Sequence, residues 1–142
     1  MQTNIPIQEL IKSALAARNK AYAPYSEYLV GAAILTQDDR IYTGINIENA
    51  SYGASNCAER TAIFKAVSEG NVKIKAVAIA GGVKDNPITG FAYPCGICRQ
   101  VMREFCLKPD DLVVIVAKNE AEYRTFTLND LLPASFGPDK LM

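Results

Sequence analysis

Two short cysteine segments decide the fold: Cys57–Arg60, which reads CAER, and Pro94–Cys98, which reads PCGIC. Small residues recur at helical spacing after the first segment as far as Gly70, and the proline of the second segment is typical of a helix start. The apolar run Ile74–Ala80 lies between the two predicted helices, and the run Leu112–Ala117 follows the second. This alternation predicts a sheet with parallel members and helices on its faces.

The segments before the first cysteine predict a helix and a hairpin. Apolar residues recur at helical spacing behind Asn4, so we expect an amphipathic helix that Asn4 caps and that ends before Pro24. The apolar run Tyr28–Leu35 and the alternating run Ile41–Ile47 flank a turn signal, which predicts two paired strands.

The remaining segments predict a loop, an edge strand and a short helix. Glycines and a proline predict that Gly81–Tyr93 lacks regular structure. Tyr123–Phe126 is typical of an edge strand and Thr127–Leu132 of a short helix, whereas Pro133–Met142 either frays or docks on another surface. The helix after the second cysteine segment is expected to pack through Ile97, Val101 and Phe105.

Composition limits the function. The chain has 142 residues, which fits a single domain over residues 1–142, and its 15 basic and 15 acidic residues leave no net charge. A neutral chain has no global positive field to attract DNA or RNA, so we expect a small neutral substrate. No apolar run has the length of a signal peptide or a membrane span, so we expect a cytoplasmic protein with no membrane partner.

The cysteines and the lack of histidine narrow the chemistry. Without an imidazole, a serine-histidine or cysteine-histidine relay is excluded, and Glu59 is the obvious group for proton transfer. Cys57, Cys95 and Cys98 offer three thiolates, and a catalytic zinc takes three protein ligands and leaves its fourth position to water. On one continuous helix Cys106 lies about 12 Å from Cys98 and cannot share the ion. Closure of the zinc shell by Glu59 remains the alternative.

Six segments in order form a specific pattern: Ala23–Ser26 (APYS), Val30–Ala33 (VGAA), Asn46–Tyr52 (NIENASY), Cys57–Thr61 (CAERT), Pro94–Gln100 (PCGICRQ) and Leu131–Pro133 (LLP). Together they resemble the small, three-cysteine, zinc-dependent cytidine deaminases. The resemblance implies an α/β fold with three α-β-α layers around a mixed, partly parallel five-stranded sheet. It also implies a homotetramer with one zinc ion per chain and active sites completed across subunits.

The resemblance also implies a role for each matching residue. The implied zinc ligands are Cys57, Cys95 and Cys98, and Arg60 is expected to hydrogen-bond their thiolates and tune the charge. Glu59 is expected to move the proton while a zinc-activated water attacks C4 of cytidine or deoxycytidine. The products are uridine or deoxyuridine and ammonia, as in pyrimidine salvage.

Nucleoside contacts follow from the same resemblance. The implied contacts are Tyr28, Asn46, Glu48, Ala58, Tyr52 and Phe136. Asn46 and Glu48 are expected to hold a ribose hydroxyl, and the main chain of Ala58 to contact the base edge. Tyr52 and Phe136 are expected to reach the active site of a neighbouring subunit.

Departures from the family pattern leave specificity open. Tyr28 stands where relatives commonly have a stacking phenylalanine, so its hydroxyl needs a partner. Ile97 replaces a smaller residue, and Gly81–Tyr93 is longer than in many relatives. The alternatives are a deaminase of another aminopyrimidine nucleoside, a non-catalytic zinc-stabilised binding module, and a thiol-disulfide oxidoreductase that uses Cys95 and Cys98.

Overall fold

A mixed sheet forms the centre of the structure, a computed structural model that describes residues 4–142. Its five strands are β1 (Tyr28–Thr36), β2 (Ile41–Ile45), β3 (Ile74–Val83), β4 (Val113–Ala117) and β5 (Tyr123–Thr127). They lie in the order β2-β1-β3-β4-β5. β3 and β4 are parallel because a helix crosses between them, and the other neighbours are antiparallel. The predicted mixed sheet is confirmed.

Helices cover both faces of the sheet. The helices are α1 (Ile7–Arg18), α2 (Ala58–Ser68), α3 (Gly96–Phe105) and the short α4 (Leu128–Leu131). α1 packs on one face in a cluster that includes Leu10, Ala33 and Ile115. α2 and α3 pack on the other face in a second cluster. The alternation of side chains along each strand supplies both clusters, which confirms the three α-β-α layers.

Two glycines let helices lie directly on the hairpin. A Cβ at Gly31 would lie 2.0 Å from the carbonyl oxygen of Ala14 in α1. A Cβ at Gly44 would lie 2.4 Å from the backbone nitrogen of Ala62 and 2.5 Å from the carbonyl oxygen of Ala58, both in α2. The first turn of α2 is therefore fixed against β2 at backbone distance.

Several predicted element boundaries are wrong. α1 begins at Ile7 with Pro6 in the N-cap position and no side-chain cap, so Asn4 does not cap it. β3 runs on to Val83 because this end of the strand pairs with Tyr28 and its neighbours in β1. β2 ends at Ile45, whereas Ile47 forms only isolated bridges.

The predicted packing face of α3 is correct for Val101 and Phe105 and wrong for Ile97. Its buried residues are Cys98 and Met102, and Val101 and Phe105 pack beside them. Ile97 is 61% exposed and is absent from this packed cluster.

The C-terminal tail docks on α3 of its own chain. Gln100 Nε2 donates to the carbonyl oxygen of Phe136 at 2.9 Å, and Arg103 Nε donates to Ser135 Oγ at 2.9 Å. Arg103 Nη2 also pairs with Asp139 at 2.9 Å. Of the two predicted fates of this segment, docking is confirmed.

Among the described helices, none is long and apolar enough to cross a membrane.

Candidate metal centre and adjoining cavity

Two helix starts bring three cysteines together. Cys57 is the N-cap residue of α2, Cys95 is the N-cap residue of α3, and Cys98 lies in the first turn of α3. Their Sγ atoms lie within 4.8 Å of one another. Cys106 lies beyond the end of α3, buried and outside this group, as its position in the sequence predicts.

The geometry of the three cysteine thiols fits a zinc ion. Four ligands arranged tetrahedrally, with zinc–sulfur bonds of about 2.3 Å, place their sulfurs about 3.8 Å apart. The Sγ atoms of Cys57 and Cys95 are 3.8 Å apart. The Cys98 N–H donates to Cys95 Sγ at 3.5 Å, and both helix N-termini favour negative charge at this place. Within residues 4–142 the metal-binding group found here contains three thiols and no carboxylate, which leaves a fourth position open.

Glu59 lies beside the thiols in the first turn of α2 and is only 4% exposed. Burial raises the pKa of its carboxyl group to about 7, because the charged form loses water. A hydrogen bond from its own backbone N–H opposes this effect, and the negative charge of Cys57 adds to it. A carboxyl group with this pKa can both accept and donate a proton near neutral pH.

Arg60 and the thiols form one electrostatic unit. The hydrogen bond with Cys98 lowers the pKa of Cys57 to about 5, although burial opposes the shift. Arg60 lowers it further, because Arg60 Nη2 donates to Cys57 Sγ at 3.4 Å. The hydrogen bond with Cys57 and burial raise the pKa of Cys98.

A second set of groups lies on two segments that we call the rim, residues 22–30 and 46–48. Asn46 joins these segments, since its Oδ1 accepts from the Val30 N–H at 2.9 Å and its Nδ2 donates to the Tyr28 carbonyl oxygen at 2.8 Å. One hydrogen on Nδ2 remains free of these two bonds.

Glu48 is held by the same rim. Its Oε1 accepts from the N–H groups of Tyr25 at 3.0 Å and Ser26 at 3.1 Å, and its Oε2 accepts from the Ser26 hydroxyl. The hydrogen bond from the Ser26 side chain is the main cause that lowers the pKa of Glu48. The carboxylate is therefore held in its charged form.

A cavity of about 360 Å³ joins the metal centre to the rim. Its wall includes Val30, Asn46, Glu48, Tyr52, Ser55, Asn56, Cys57, Ala58 and Arg60. A cysteine of the metal group thus shares one wall with two polar groups of the rim. Such an arrangement suits a small molecule with a polar ring at one end and a hydroxyl group at the other.

Two predicted contacts lie elsewhere. Tyr28 lines a neighbouring cavity of about 540 Å³ together with residues of the segment after β3, and its ring packs across Gly81. Its hydroxyl makes no hydrogen bond within the described part of the chain. Phe136 lies on the docked tail and is 59% exposed, and Tyr52 is 78% exposed. The single chain does not bring Tyr28 or Phe136 to the wall of the smaller cavity.

The comparisons with known proteins agree with this geometry. The family model described as "Cytidine and deoxycytidylate deaminase zinc-binding region" matches residues 5–116.

The chain belongs to this deaminase family.

Relatives of the chain within the family are cytidine deaminases by name. The chain is 48% identical over 129 residues to the cytidine deaminase of Halalkalibacterium halodurans, covering 91% of this chain and 92% of that protein. It is 42% identical over 135 residues to that of Sporosarcina psychrophila, covering 95% and 94%. The crystal structure of cytidine deaminase from Burkholderia pseudomallei superposes with a TM-score of 0.81 at 45% identity, covering 93% of this chain and all of that one. The predicted family, enzyme class and fold are confirmed.

Sequence reasoning missed some residues of this candidate site. Val30, Ser55 and Asn56 line the cavity, and Ser26 binds Glu48 from outside its wall. Ser26 belongs to the APYS segment, so the resemblance marked its position but gave it no role. The signal for the others lies in tertiary contacts, since Asn56 is placed by its paired backbone bonds with Ile47.

Proposed function

We propose that this chain hydrolyses cytidine and deoxycytidine to uridine and deoxyuridine with release of ammonia. The observation that carries the proposal is the shared cavity, which Cys57 of the metal group lines together with Asn46 and Glu48 of the rim. A nucleoside places a reactive ring and sugar hydroxyls at the two ends of a molecule of this size. The family match and the names of the relatives support the same chemistry.

The three thiols hold one zinc ion per chain in this proposal. Cys57, Cys95 and Cys98 supply the sulfurs, and Arg60 offsets part of their negative charge through its bond to Cys57. When bound, zinc supplies an activated water at the open position for attack on C4 of the cytosine ring. A non-catalytic module with Glu59 as fourth ligand is disfavoured, because the group of close ligand atoms contains only thiols in the described residues.

Glu59 carries the proton. It takes a proton from water as the oxygen adds to C4 and delivers this proton to N3 of the ring. It then takes the remaining proton of the C4 hydroxyl and gives it to the amino group, so that the C4–N bond breaks, ammonia leaves and C4 becomes the carbonyl of uridine. Its burial beside the thiols and a pKa of about 7 suit both directions of transfer. Water and cytidine thus give uridine and ammonia with no further reactant.

The other predicted residues bind and orient the nucleoside. Asn46 and Glu48 hold a sugar hydroxyl, and the main chain of Ala58 contacts the base edge. The Tyr28 ring lines the neighbouring cavity, so its stacking role requires the ring to reach the base from that side when the nucleoside binds. Tyr52 and Phe136 complete the site of a neighbouring subunit in a homotetramer. The proposal for these two is supported by their exposure of 78% and 59%, since large rings left in water favour a partner. Residues 1–142 act as a single catalytic domain, which we place in cytoplasmic pyrimidine salvage.

A second candidate substrate class is a different aminopyrimidine nucleoside. The observation in its favour is the cavity of about 540 Å³ beside Tyr28, whose hydroxyl is free to bind a ring substituent. Parallel assays with cytidine and a ring-substituted cytidine distinguish the two substrate classes. Faster reaction of the substituted nucleoside would favour the second class, and faster reaction of cytidine the first.

The decisive experiment compares wild type with Glu59→Gln. Conversion of cytidine to uridine is followed by ultraviolet absorbance, and zinc content is measured on the same samples. We expect wild type to convert cytidine and Glu59→Gln to retain zinc but lose at least about a thousandfold in kcat, because the amide cannot carry the proton. Glu104→Gln is the matched control, since Glu104 is an exposed carboxylate on α3.

Two results would overturn the proposal. Zinc-loaded wild type that leaves cytidine unchanged would exclude the activity. Full turnover by Glu59→Gln would exclude the assigned proton path.

A further inference from the structure

We propose that Ser26 is a positioning residue whose hydroxyl holds the Glu48 carboxylate so that it presents a single acceptor position to one sugar hydroxyl. This inference rests on the proposed function, because it concerns how the same site binds the sugar of its nucleoside.

Three donors from one turn hold the Glu48 carboxylate. The N–H groups of Tyr25 and Ser26 donate to Oε1 at 3.0 Å and 3.1 Å, and the Ser26 hydroxyl donates to Oε2. An ionised carboxylate has about four acceptor positions, two on each oxygen. Oε1 is therefore filled, and one position remains on Oε2.

The Ser26 hydroxyl is itself fixed in direction. The Tyr28 N–H donates to Ser26 Oγ at 3.0 Å, so the single hydroxyl proton is left to point at Glu48. Between them Glu27 adopts a left-handed backbone with φ of 57°, and its N–H donates to the Ala23 carbonyl oxygen at 2.9 Å. The turn therefore presents the hydroxyl in a defined place.

The backbone of Glu48 is anchored on the same segment. Its N–H donates to the Tyr22 carbonyl oxygen at 2.8 Å, and the Tyr22 N–H donates to the Asn46 carbonyl oxygen at 3.0 Å. Ser26 adds the last restraint by fixing the rotation of the carboxylate. Without that bond, Oε2 would have two open positions and no preferred one.

One acceptor on Glu48 and one spare hydrogen on Asn46 match one hydroxyl group, which donates once and accepts once. The rim therefore recognises one sugar hydroxyl. The ligand class is a nucleoside that retains this hydroxyl, and loss of the other ring hydroxyl should have little effect on binding. Ser26 sets this specificity without touching the reacting atoms.

The test compares wild type and Ser26→Ala on cytidine, 2′-deoxycytidine and 3′-deoxycytidine. We expect Ser26→Ala to raise KM about tenfold for cytidine, as for a lost hydrogen bond to a charged group, with kcat within about twofold. The same rise is expected for whichever deoxy compound keeps the recognised hydroxyl. The other deoxy compound lacks the recognised hydroxyl, so its KM should already be high for wild type. Ser26→Ala should not raise that KM further.

Three further measurements separate positioning from a structural role. Ser26→Thr keeps the hydroxyl and should restore KM, and Ser26→Ala should add no further rise in a Glu48→Ala background. Dissociation constants for the product uridine, measured by calorimetry, should change among the variants in the same way as KM for cytidine. This control is needed because KM depends on reaction rates as well as on affinity. Ser68→Ala is the control, because Ser68 is exposed and donates to the Lys65 carbonyl oxygen far from the rim.

Each result decides the question. The proposal would be overturned if Ser26→Ala raised KM equally for all three substrates, or raised it as much in the Glu48→Ala background as in wild type. Ser26 would then act only through its hydrogen bond with the Tyr28 N–H. If Ser26→Ala disturbs the turn, Ser26→Cys replaces it in the same comparison of substrates. The cysteine thiol is similar in size to the serine hydroxyl but is a weak hydrogen-bond donor. If wild type fails to convert cytidine, the proposed function fails and this proposal fails with it. Conversion with a substrate-independent Ser26 effect overturns this proposal alone.

Discussion

The metal centre and the rim are held in place by different forces. Cys98 and Glu59 are buried at helix starts, and α2 and α3 behind them pack into one apolar cluster with the sheet. Apart from the buried Ala23, the rim is half-buried or exposed. Asn46 and Glu48 accept hydrogen bonds from nearby backbone N–H groups, and the Ser26 hydroxyl donates to Glu48, which together hold the rim in place. The residues proposed to carry the reaction thus depend on packing, whereas the residues proposed to bind the sugar depend on local polar contacts.

This difference separates two kinds of failure. Damage to the packing or the metal should move several reactive groups at once, because they share two helices. Damage to one rim contact should change the affinity for substrate and leave the metal centre intact.

Removal of zinc should have the largest effect. Ions that bind only the folded chain stabilise it by about 4 kcal/mol when present at a thousandfold excess over the dissociation constant. We expect chelation to lower the free energy of unfolding by about this amount. Hydrogen exchange should accelerate at residues 57–60 and 95–99, whereas the rim should change little.

The matched control for zinc removal is Cys106→Ala, which should keep its zinc because Cys106 lies outside the thiol group. Mass spectrometry of the exchanged peptides gives the comparison directly. Equal acceleration in the rim would mean that the two regions unfold as one unit.

Gly44→Ala should have the next largest effect. Its new Cβ would meet backbone atoms of α2 at 2.4 Å and 2.5 Å, so the helix that carries Cys57 and Glu59 must shift. We expect a loss of about 3 kcal/mol in the free energy of unfolding, together with weaker zinc binding. Chemical denaturation and zinc titration measure the two effects.

Gly53→Ala is the control, because a Cβ at Gly53 meets nothing within 4 Å. It should be close to wild type in stability and zinc affinity. If Gly44→Ala retained wild-type zinc affinity, the metal centre would not depend on the contact between α2 and β2.

The same contrast explains what the sequence could predict. Cys57, Cys95 and Cys98 could be placed because short-range spacing and helix-start patterns fix them, and the structure brings all three together. The close contact between Gly44 and the backbone of α2 cannot be predicted from the neighbouring sequence, since it depends on how the helix packs against the strand in the folded protein.

Boundary errors have the same origin. The glycines after Ala80 predict a loop, but pairing with Tyr28 and its neighbours keeps this segment in β3. The spacing of Ile97, Val101 and Phe105 predicts one shared face, but α3 buries Cys98 and Met102 and leaves Ile97 exposed. Tertiary contacts override local preference at both places.

Asn46→Ala should have the smallest effect on stability and an effect confined to the rim. It removes the bonds to the Val30 N–H and the Tyr28 carbonyl oxygen, so we expect a loss of about 1 kcal/mol in the free energy of unfolding. KM for cytidine should rise about tenfold while zinc content stays at the wild-type level, because no part of α2 or α3 depends on this side chain. Steady-state kinetics and metal analysis on one preparation measure both.

Asn119→Ala makes this comparison specific. Like Asn46, Asn119 makes two side-chain hydrogen bonds with backbone groups, since its Oδ1 accepts from the N–H of Ala121 and the N–H of Glu122, both at 2.8 Å. Asn119, however, lies in the turn between β4 and β5. Its loss should lower stability by a similar amount without changing KM. If both variants raised KM equally, the effect would come from general loosening of the fold. A rise in Asn46→Ala alone, with zinc retained, would establish that the rim binds substrate independently of the metal centre.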